Sequence, residues 1–131
     1  MKAVILAGGK GTRLKPYTAV FPKPLMPIGD KPILEIIIRQ LESQGLKDIV
    51  ITVGHLGELI ANFFGDGSKL GVRIKYSRED QPLGTAGGLG LIKEELEDTF
   101  LMINGDTLTA LDFAGSISHH KRSGAIATIA L

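Results

Sequence analysis

The sequence has no cysteine, which removes disulfides, thiolate metal sites and cysteine nucleophiles together. It has no excess of either charge: 15 Lys and Arg stand against 14 Asp and Glu, a net charge of +1. Bulk binding to nucleic acid needs a basic face with a large positive excess, so that class is excluded and any anion recognition must come from local clusters. It also has no long apolar run. The stretch Ala3-Val4-Ile5-Leu6-Ala7 behind Met1-Lys2 is too short for the core of a signal peptide. Nothing reaches the roughly 18 apolar residues that would cross a membrane. Linkers, low-complexity tracts and repeats are missing too. The expectation is a soluble, cytoplasmic protein whose 131 residues make one domain.

What is present is an alternation of short apolar runs with longer segments of helical period, the pattern of an α/β domain with a mostly parallel sheet. Ala3–Leu6, Asp48–Val53, Val72–Tyr76, Phe100–Ile103 and Ala125–Leu131 read as five strands. The third alternates enough to lie near an edge. A helix opens after Asp30-Lys31-Pro32, with Asp30 as its cap, Ile33, Ile36, Ile37 and Leu41 at helical spacing, and Gly45 at its end. Further helices are expected over Leu56–Phe64, about Thr85–Leu96 and Phe113–Arg122. The fold class is therefore a Rossmann-like open sheet flanked by helices, with strand order 3-2-1-4-5 and a ligand edge where strands one and four part. The last strand, Ala125–Leu131, carries no charge, and as an open edge it predicts association into a homo-oligomer.

The chemistry concentrates behind the first strand, in Gly8-Gly9-Lys10-Gly11-Thr12-Arg13-Leu14. Three glycines in four residues keep side chains away from an anion and let successive N–H groups converge on phosphate oxygens. Thr12 adds a hydroxyl and Arg13 a planar fork for two oxygens of one phosphate. A Walker A loop fails here, because Lys10 precedes Gly11-Thr12. The dinucleotide fingerprint fails as well: Leu14 stands at its last glycine, and Gly54-His55 stands where it wants an acid. Phe21-Pro22-Lys23-Pro24-Leu25-Met26-Pro27 follows, with three prolines in six residues. They stiffen an extended stretch from which Lys23 projects as a second cation.

Two more loops fall on the same edge. Glu79-Asp80-Gln81-Pro82-Leu83-Gly84-Thr85-Ala86-Gly87-Gly88 is built of small residues that admit a flat ring, with Thr85 placed to cap the next helix. Asn104-Gly105-Asp106 puts a carboxylate just beyond the fourth strand, a position suited to a hard cation but equally to a turn. His55 reads as a turn histidine, and His119-His120 with Lys121 and Arg122 as a solvated helical face.

The run Gly8-Gly9 … Gly11-Thr12-Arg13-Leu14 … Pro16 … Thr18 … Pro22-Lys23-Pro24 … Pro27 closely resembles the N-terminal motif of the sugar-1-phosphate nucleotidyltransferases. The resemblance implies transfer of a nucleotidyl group from a nucleoside triphosphate to a sugar 1-phosphate, with release of pyrophosphate. It implies catalytic roles for Arg13 and Lys23 on the triphosphate. It further implies nucleotide contacts from Ala7, Gly8, Gly9, Gly11, Thr12, Glu79, Gly84 and Thr85, and an Mg2+ ion on Asp106. Such family domains run to about twice this length, so sugar-binding loops and a second metal-binding aspartate are expected outside these residues. The chain alone is then expected to bind nucleotide weakly or to be inactive. Two alternatives come from other classes. One is a non-catalytic nucleotide-binding or assembly module that kept the phosphate loop. The other is a glycosyltransferase of related fold, which would need Asp-x-Asp where this sequence has Asn104-Gly105-Asp106.

Overall fold

The computed structural model describes residues 1–9, 15–16, 20–96 and 98–131. Four parallel strands form the main sheet: β1 (Lys2–Ala7), β4 (Asp48–Val53), β5 (Arg73–Arg78) and β6 (Phe100–Asn104), in the order β5-β4-β1-β6. These are the first four strands expected, in the expected order, with the third at an edge. Two short strands, β2 (Pro27–Ile28) and β3 (Lys31–Pro32), make a separate antiparallel hairpin. The helices are α1 (Ile33–Ser43), α2 (Gly57–Phe64), α3 (Gly87–Leu91) and α4 (Phe113–Ser123).

β1 pairs with β4 and with β6, and its core residues Ala3, Val4 and Ile5 are fully buried. Because side chains alternate across a strand, Ala3, Ile5 and Ala7 meet one layer while Val4 meets the other. The larger cluster joins Ile5, Ile49 and Ile51 to Leu34, Ile37, Ile38 and Leu41 of α1, to Ile60 and Phe64 of α2 and to Phe113 of α4. The smaller joins Val4 and Val50 to Ile92 beyond α3, with Leu89, Leu96 and Phe100 around them. Both faces are thus covered, as an all-parallel sheet requires.

Several sequence expectations need correction. The buried stripe of α1 is Leu34, Ile37, Ile38 and Leu41, not the set containing Ile33 and Ile36. Five apolar residues, Ile33, Leu34, Ile36, Ile37 and Ile38 around Glu35, allow either face, and the packing of Leu34 and Ile38 in the core cluster decides it. Asp30 does not cap α1: it lies in the β2–β3 turn, where its carboxylate takes the Lys31 ammonium at 3.2 Å. Pro32 holds the cap position with no side-chain bond, and the Ile33 N–H donates to the Met26 carbonyl at 3.0 Å. Thr85 caps nothing either. α3 starts after Ala86 and gives way at Ile92 to a 3-10 turn over Lys93–Glu95, since three glycines in Gly87–Gly90 weaken the helix.

The fifth strand is not formed. Ala125–Leu131 leaves α4 through Gly124 at φ +65 and lies open, with Ile126 and Leu131 fully exposed. Its polar contacts go back to α4, from the Ala125 N–H to Ser123 Oγ at 3.2 Å and between Thr128 Oγ1 and His120 Nδ1 at 2.9 Å. β propensity alone makes no strand where no face is buried. Among the described residues no helix is long and apolar enough to cross a membrane.

At the outer edge, Tyr76 of β5 donates its hydroxyl to the Gly65 carbonyl at 2.7 Å. Burial, with the negative charge of Asp66 adding to it, pushes the Tyr76 phenol up to about 12. A folded value above the unfolded value of about 10 means the folded state holds the proton longer. This contribution is complete below about pH 10 and fades as pH rises towards 12. Urea titrations across that interval should show stability falling, and Tyr76→Phe should flatten the slope. In the core, Ile37→Ala should cost about 2–5 kcal/mol by urea denaturation, and Ile36→Ala clearly less.

Candidate functional site at the carboxyl edge of the sheet

The register fixes where the strand ends fall. Ala7 pairs with Val53, Leu6 with Asn104 and Val53 with Arg78, so all four carboxyl ends finish at nearly one level. A glycine follows three of them directly: Gly8 after β1, Gly54 after β4 and Gly105 after β6. Gly54 and Gly105 are needed for close packing. A Cβ on Gly54 would stand 2.8 Å from the Gly8 carbonyl oxygen, so the loop leaving β1 runs across the end of β4. Gly105 is buried, its N–H donates to the Leu6 carbonyl at 2.9 Å, and a Cβ there would press on Leu6, Ala7 and Ile5. Asp106 is thereby held beside the end of β1.

Lys23 arrives from the other direction. The sequence suggested an extended proline stretch, but Lys23–Leu25 is a 3-10 turn, closed by bonds of 3.0 Å from Leu25 to Pro22 and from Met26 to Lys23. Pro22, Pro24 and Leu25 are buried and Lys23 between them is not, so the prolines anchor the turn and leave the ammonium outside. Lys23 Nζ donates to Asp106 Oδ2 at 2.6 Å across 83 positions of sequence. Both side chains are a little over a third exposed, which leaves the pair open to a ligand. Thr107 Oγ1 donates to the other carboxylate oxygen at 3.4 Å.

Behind Asp106 the chain is fixed by α1. Gln40 Nε2 donates to the Thr109 carbonyl at 2.7 Å, and Gln44 Oε1 accepts from the Phe113 N–H at 2.7 Å. Asp112 caps α4 by accepting from the Gly115 N–H at 2.9 Å. Sequence reasoning did not pick out these glutamines, although polar residues at 40 and 44 on a helix otherwise apolar at 37 and 41 were the available signal.

The other end of the edge is a cleft of about 400 Å³ lined by Gly8, Gly54, His55, Arg78 and Glu79, with Asp80 to Pro82 at its rim. His55 therefore reaches the cleft, and Gly54, passed over in the sequence, forms part of its floor. Glu79 continues the β5 register by donating its N–H to the Val53 carbonyl at 2.8 Å. Its carboxylate lies against Gly8 and Gly88. Gly84, at φ +79, and Thr85 are exposed on the following loop. Of the expected site residues, Ala7, Gly8 and Gly9 sit at the end of β1 and Lys23 meets Asp106. Gly11, Thr12 and Arg13 lie outside the described residues.

An open parallel sheet with a glycine-lined carboxyl edge, and with a cation and a carboxylate at its switch point, is that of the doubly wound α/β class, whose ligands bind at the carboxyl ends of the strands. The chain belongs to the nucleotidyl transferase family, which it matches over residues 2–131. It is 43% identical over 141 aligned positions to a UTP–glucose-1-phosphate uridylyltransferase of Synechocystis, covering 98% of this chain and 36% of that protein. It is 37% identical to a mannose-1-phosphate guanylyltransferase of Mycobacterium tuberculosis, again covering 98% of this chain and 36% of the relative. The crystal structure of HddC from Yersinia pseudotuberculosis complexed with GMP-PN superimposes with a TM-score of 0.81 at 33% identity, over 91% of this chain and 53% of that one. The chain thus spans little more than a third of the first two relatives' length.

The glycines give a local test. Gly54→Ala should destabilise the fold by about 1–3 kcal/mol, since a backbone carbonyl must move. Gly9→Ala, with none of the described residues within 4 Å of the new Cβ, should leave the urea midpoint nearly unchanged.

Proposed function

We propose that the protein transfers a nucleotidyl group from a nucleoside triphosphate to a sugar 1-phosphate, and that these residues supply its nucleotide-binding half. The observation that carries the reading is the 2.6 Å contact between Lys23 and Asp106 at the switch point. Two residues chosen separately for phosphate and for metal meet in space beyond the ends of β1 and β6. Family membership and the names of the relatives support the reaction class.

In this reading a phosphate oxygen of the sugar 1-phosphate attacks the α-phosphorus in line. The new P–O bond forms as the bond to the bridging oxygen breaks, and pyrophosphate leaves with that electron pair. The nucleophile is already an anion, so no general base is needed, and the protein contributes position and charge. Lys23 and Arg13 offset the charge of the triphosphate and of the departing pyrophosphate, and the N–H groups of Gly8 and Gly9 face the phosphates.

The residues fit Mg2+ in one specific manner. Among the described residues no group of three His, Asp or Glu could hold a metal. Asp106 is one accessible carboxylate already engaged with a cation, and Mg2+ is commonly held by one or two carboxylates with phosphate oxygens and water completing its shell. Mg2+ held there would neutralise phosphate charge. The homo-oligomer and the cytoplasmic setting belong to the same proposal.

Calorimetric titration with Mg2+ and nucleoside triphosphates, followed by pyrophosphate release with hexose 1-phosphates, tests the reading. Triphosphate binding is expected, and Arg13→Ala or Lys23→Ala should each weaken it by more than about tenfold through loss of a charge-assisted contact. Binding indifferent to both substitutions would remove the phosphate site.

A further inference from the structure

One helix stands behind both halves of the Lys23–Asp106 pair. At its start, the Ile33 N–H of α1 donates to the Met26 carbonyl at 3.0 Å, and the Met26 N–H closes the turn on the Lys23 carbonyl at 3.0 Å. At its far end, Gln40 Nε2 donates to the Thr109 carbonyl at 2.7 Å. Gln44 Oε1 accepts from the Phe113 N–H at 2.7 Å and from the Ala114 N–H at 3.3 Å. Its Nε2 donates to the Leu111 carbonyl at 3.3 Å. The two glutamines stand four positions apart and so share one stripe of the helix. Leu34, Ile37, Ile38 and Leu41 bury α1 in the larger core cluster, which makes it a fixed support.

Asp106 depends on that support. Its near side is set by the bond from the Gly105 N–H to Leu6. On its far side Thr107 reaches back to the Asn104 carbonyl at 3.3 Å, and the chain then runs to α4 without secondary structure. Among the described residues, the only hydrogen bonds from residues 108–111 to another element are those of Gln40 and Gln44. A loop that carries a charged group needs its backbone fixed, because a displacement of about 1 Å spoils a metal or phosphate contact.

On the proposed function, with Asp106 holding Mg2+ against a triphosphate, we infer that Gln40 and Gln44 are positioning residues through which α1 sets Asp106 against Lys23. They act in opposite chemical senses. Gln40 is a donor to a carbonyl, whereas Gln44 is chiefly an acceptor at the N-terminus of α4, where negative charge is favoured. Exchanging amide for carboxylate at the two positions should therefore have opposite results. Gln40→Glu sets a carboxylate against the Thr109 carbonyl with no proton between them. Gln44→Glu keeps both accepted bonds and loses only the one of 3.3 Å to Leu111.

Calorimetric titration of Mg2+ into the protein with a nucleoside triphosphate, beside titration of the triphosphate without metal, tests this. Gln40→Glu and Gln44→Met should each raise the Mg2+ requirement on the order of tenfold, the scale on which groups behind a metal ligand act. Triphosphate binding without Mg2+, which on that function falls to Lys23 and Arg13, should stay nearly as it was. Gln44→Glu should restore the Mg2+ requirement of the unchanged protein. A mere gain of negative charge on α1 would instead tighten Mg2+ at both positions. The unchanged protein supplies a measurement independent of any variant's folding. Its Phe113 and Ala114 amides should exchange several-fold more slowly with Mg2+ and triphosphate bound, since coupling between two sites is reciprocal. An Mg2+ requirement unmoved by Gln40→Glu, Gln44→Glu as impaired as Gln44→Met, equal weakening of both titrations, or amide exchange indifferent to the ligands overturns the inference and leaves the proposed function standing. Failure of the unchanged protein to bind any triphosphate overturns both.

Discussion

Everything at the carboxyl edge depends on the position of β1 between two parallel partners. Its hydrogen bonds run to β4 on one side and to β6 on the other, and both registers begin at Lys2. A slip of one residue in either pairing would turn Ile5 out of the larger core cluster and Val4 into it. The hydrophobic pattern therefore locks the register, and the register in turn levels the strand ends. Gly8, Gly54 and Gly105 are then forced into close approach, and a side chain at Gly54 or Gly105 would wedge neighbouring loops apart. The site is in this sense a by-product of core packing: the same alternation that buries Ile5 and Ile51 brings the loop of β1, the turn after β6 and the start of the β5 loop together.

The Lys23–Asp106 pair has a different meaning. Exposed ion pairs contribute about 0–1 kcal/mol, so this contact does little to hold the fold. Its turn is held instead by buried Pro22, Pro24 and Leu25 and by the bond from Ile33 to Met26, while Asp106 is held by the Gly105–Leu6 bond. Both charged groups are thus positioned by their backbones before they meet each other. On the proposed function this matters for binding: a Mg2+-triphosphate presents a cation to Asp106 and anionic oxygens to Lys23. Each member of the pair exchanges one opposite charge for another, and neither is left uncompensated when the salt bridge opens.

What the sequence made legible follows the same division. Strands β1, β4 and β6 announce themselves as apolar runs, and β5 by the alternation of an edge strand. Lys23 and Asp106 were singled out by their proline and glycine neighbours, and the fold brings the two together. The face of α1 was misread because Ile33, Leu34, Ile36, Ile37 and Ile38 satisfy two helical stripes, and only the packing of Leu34 and Ile38 against the sheet chooses between them. Asp30 misled because a cap and a hairpin turn want the same residue. The strand expected at Ala125–Leu131 shows the limit of composition. Its residues favour extended backbone, but pairing is a tertiary event that no local property contains. Gln40 and Gln44 escaped notice for the converse reason, since their partners at Thr109 and Phe113 lie 69 positions away.

The two ends of the edge also differ in how freely they can change. The Lys23–Asp106 end lies beyond β1 and β6, where Gly105 is pressed against Leu6, Ala7 and Ile5, so substitutions there disturb the central strand. The cleft lies beyond β4 and β5, and the loop after β5 is exposed from Asp80 to Ala86. Residues there can be exchanged without moving β1. The relatives named for uridylyl and guanylyl transfer share this chain's fold region at 43% and 37% identity. On the proposed function, a substitution in the exposed loop after β5 can alter what the cleft accepts while leaving Lys23, Asp106 and the core untouched.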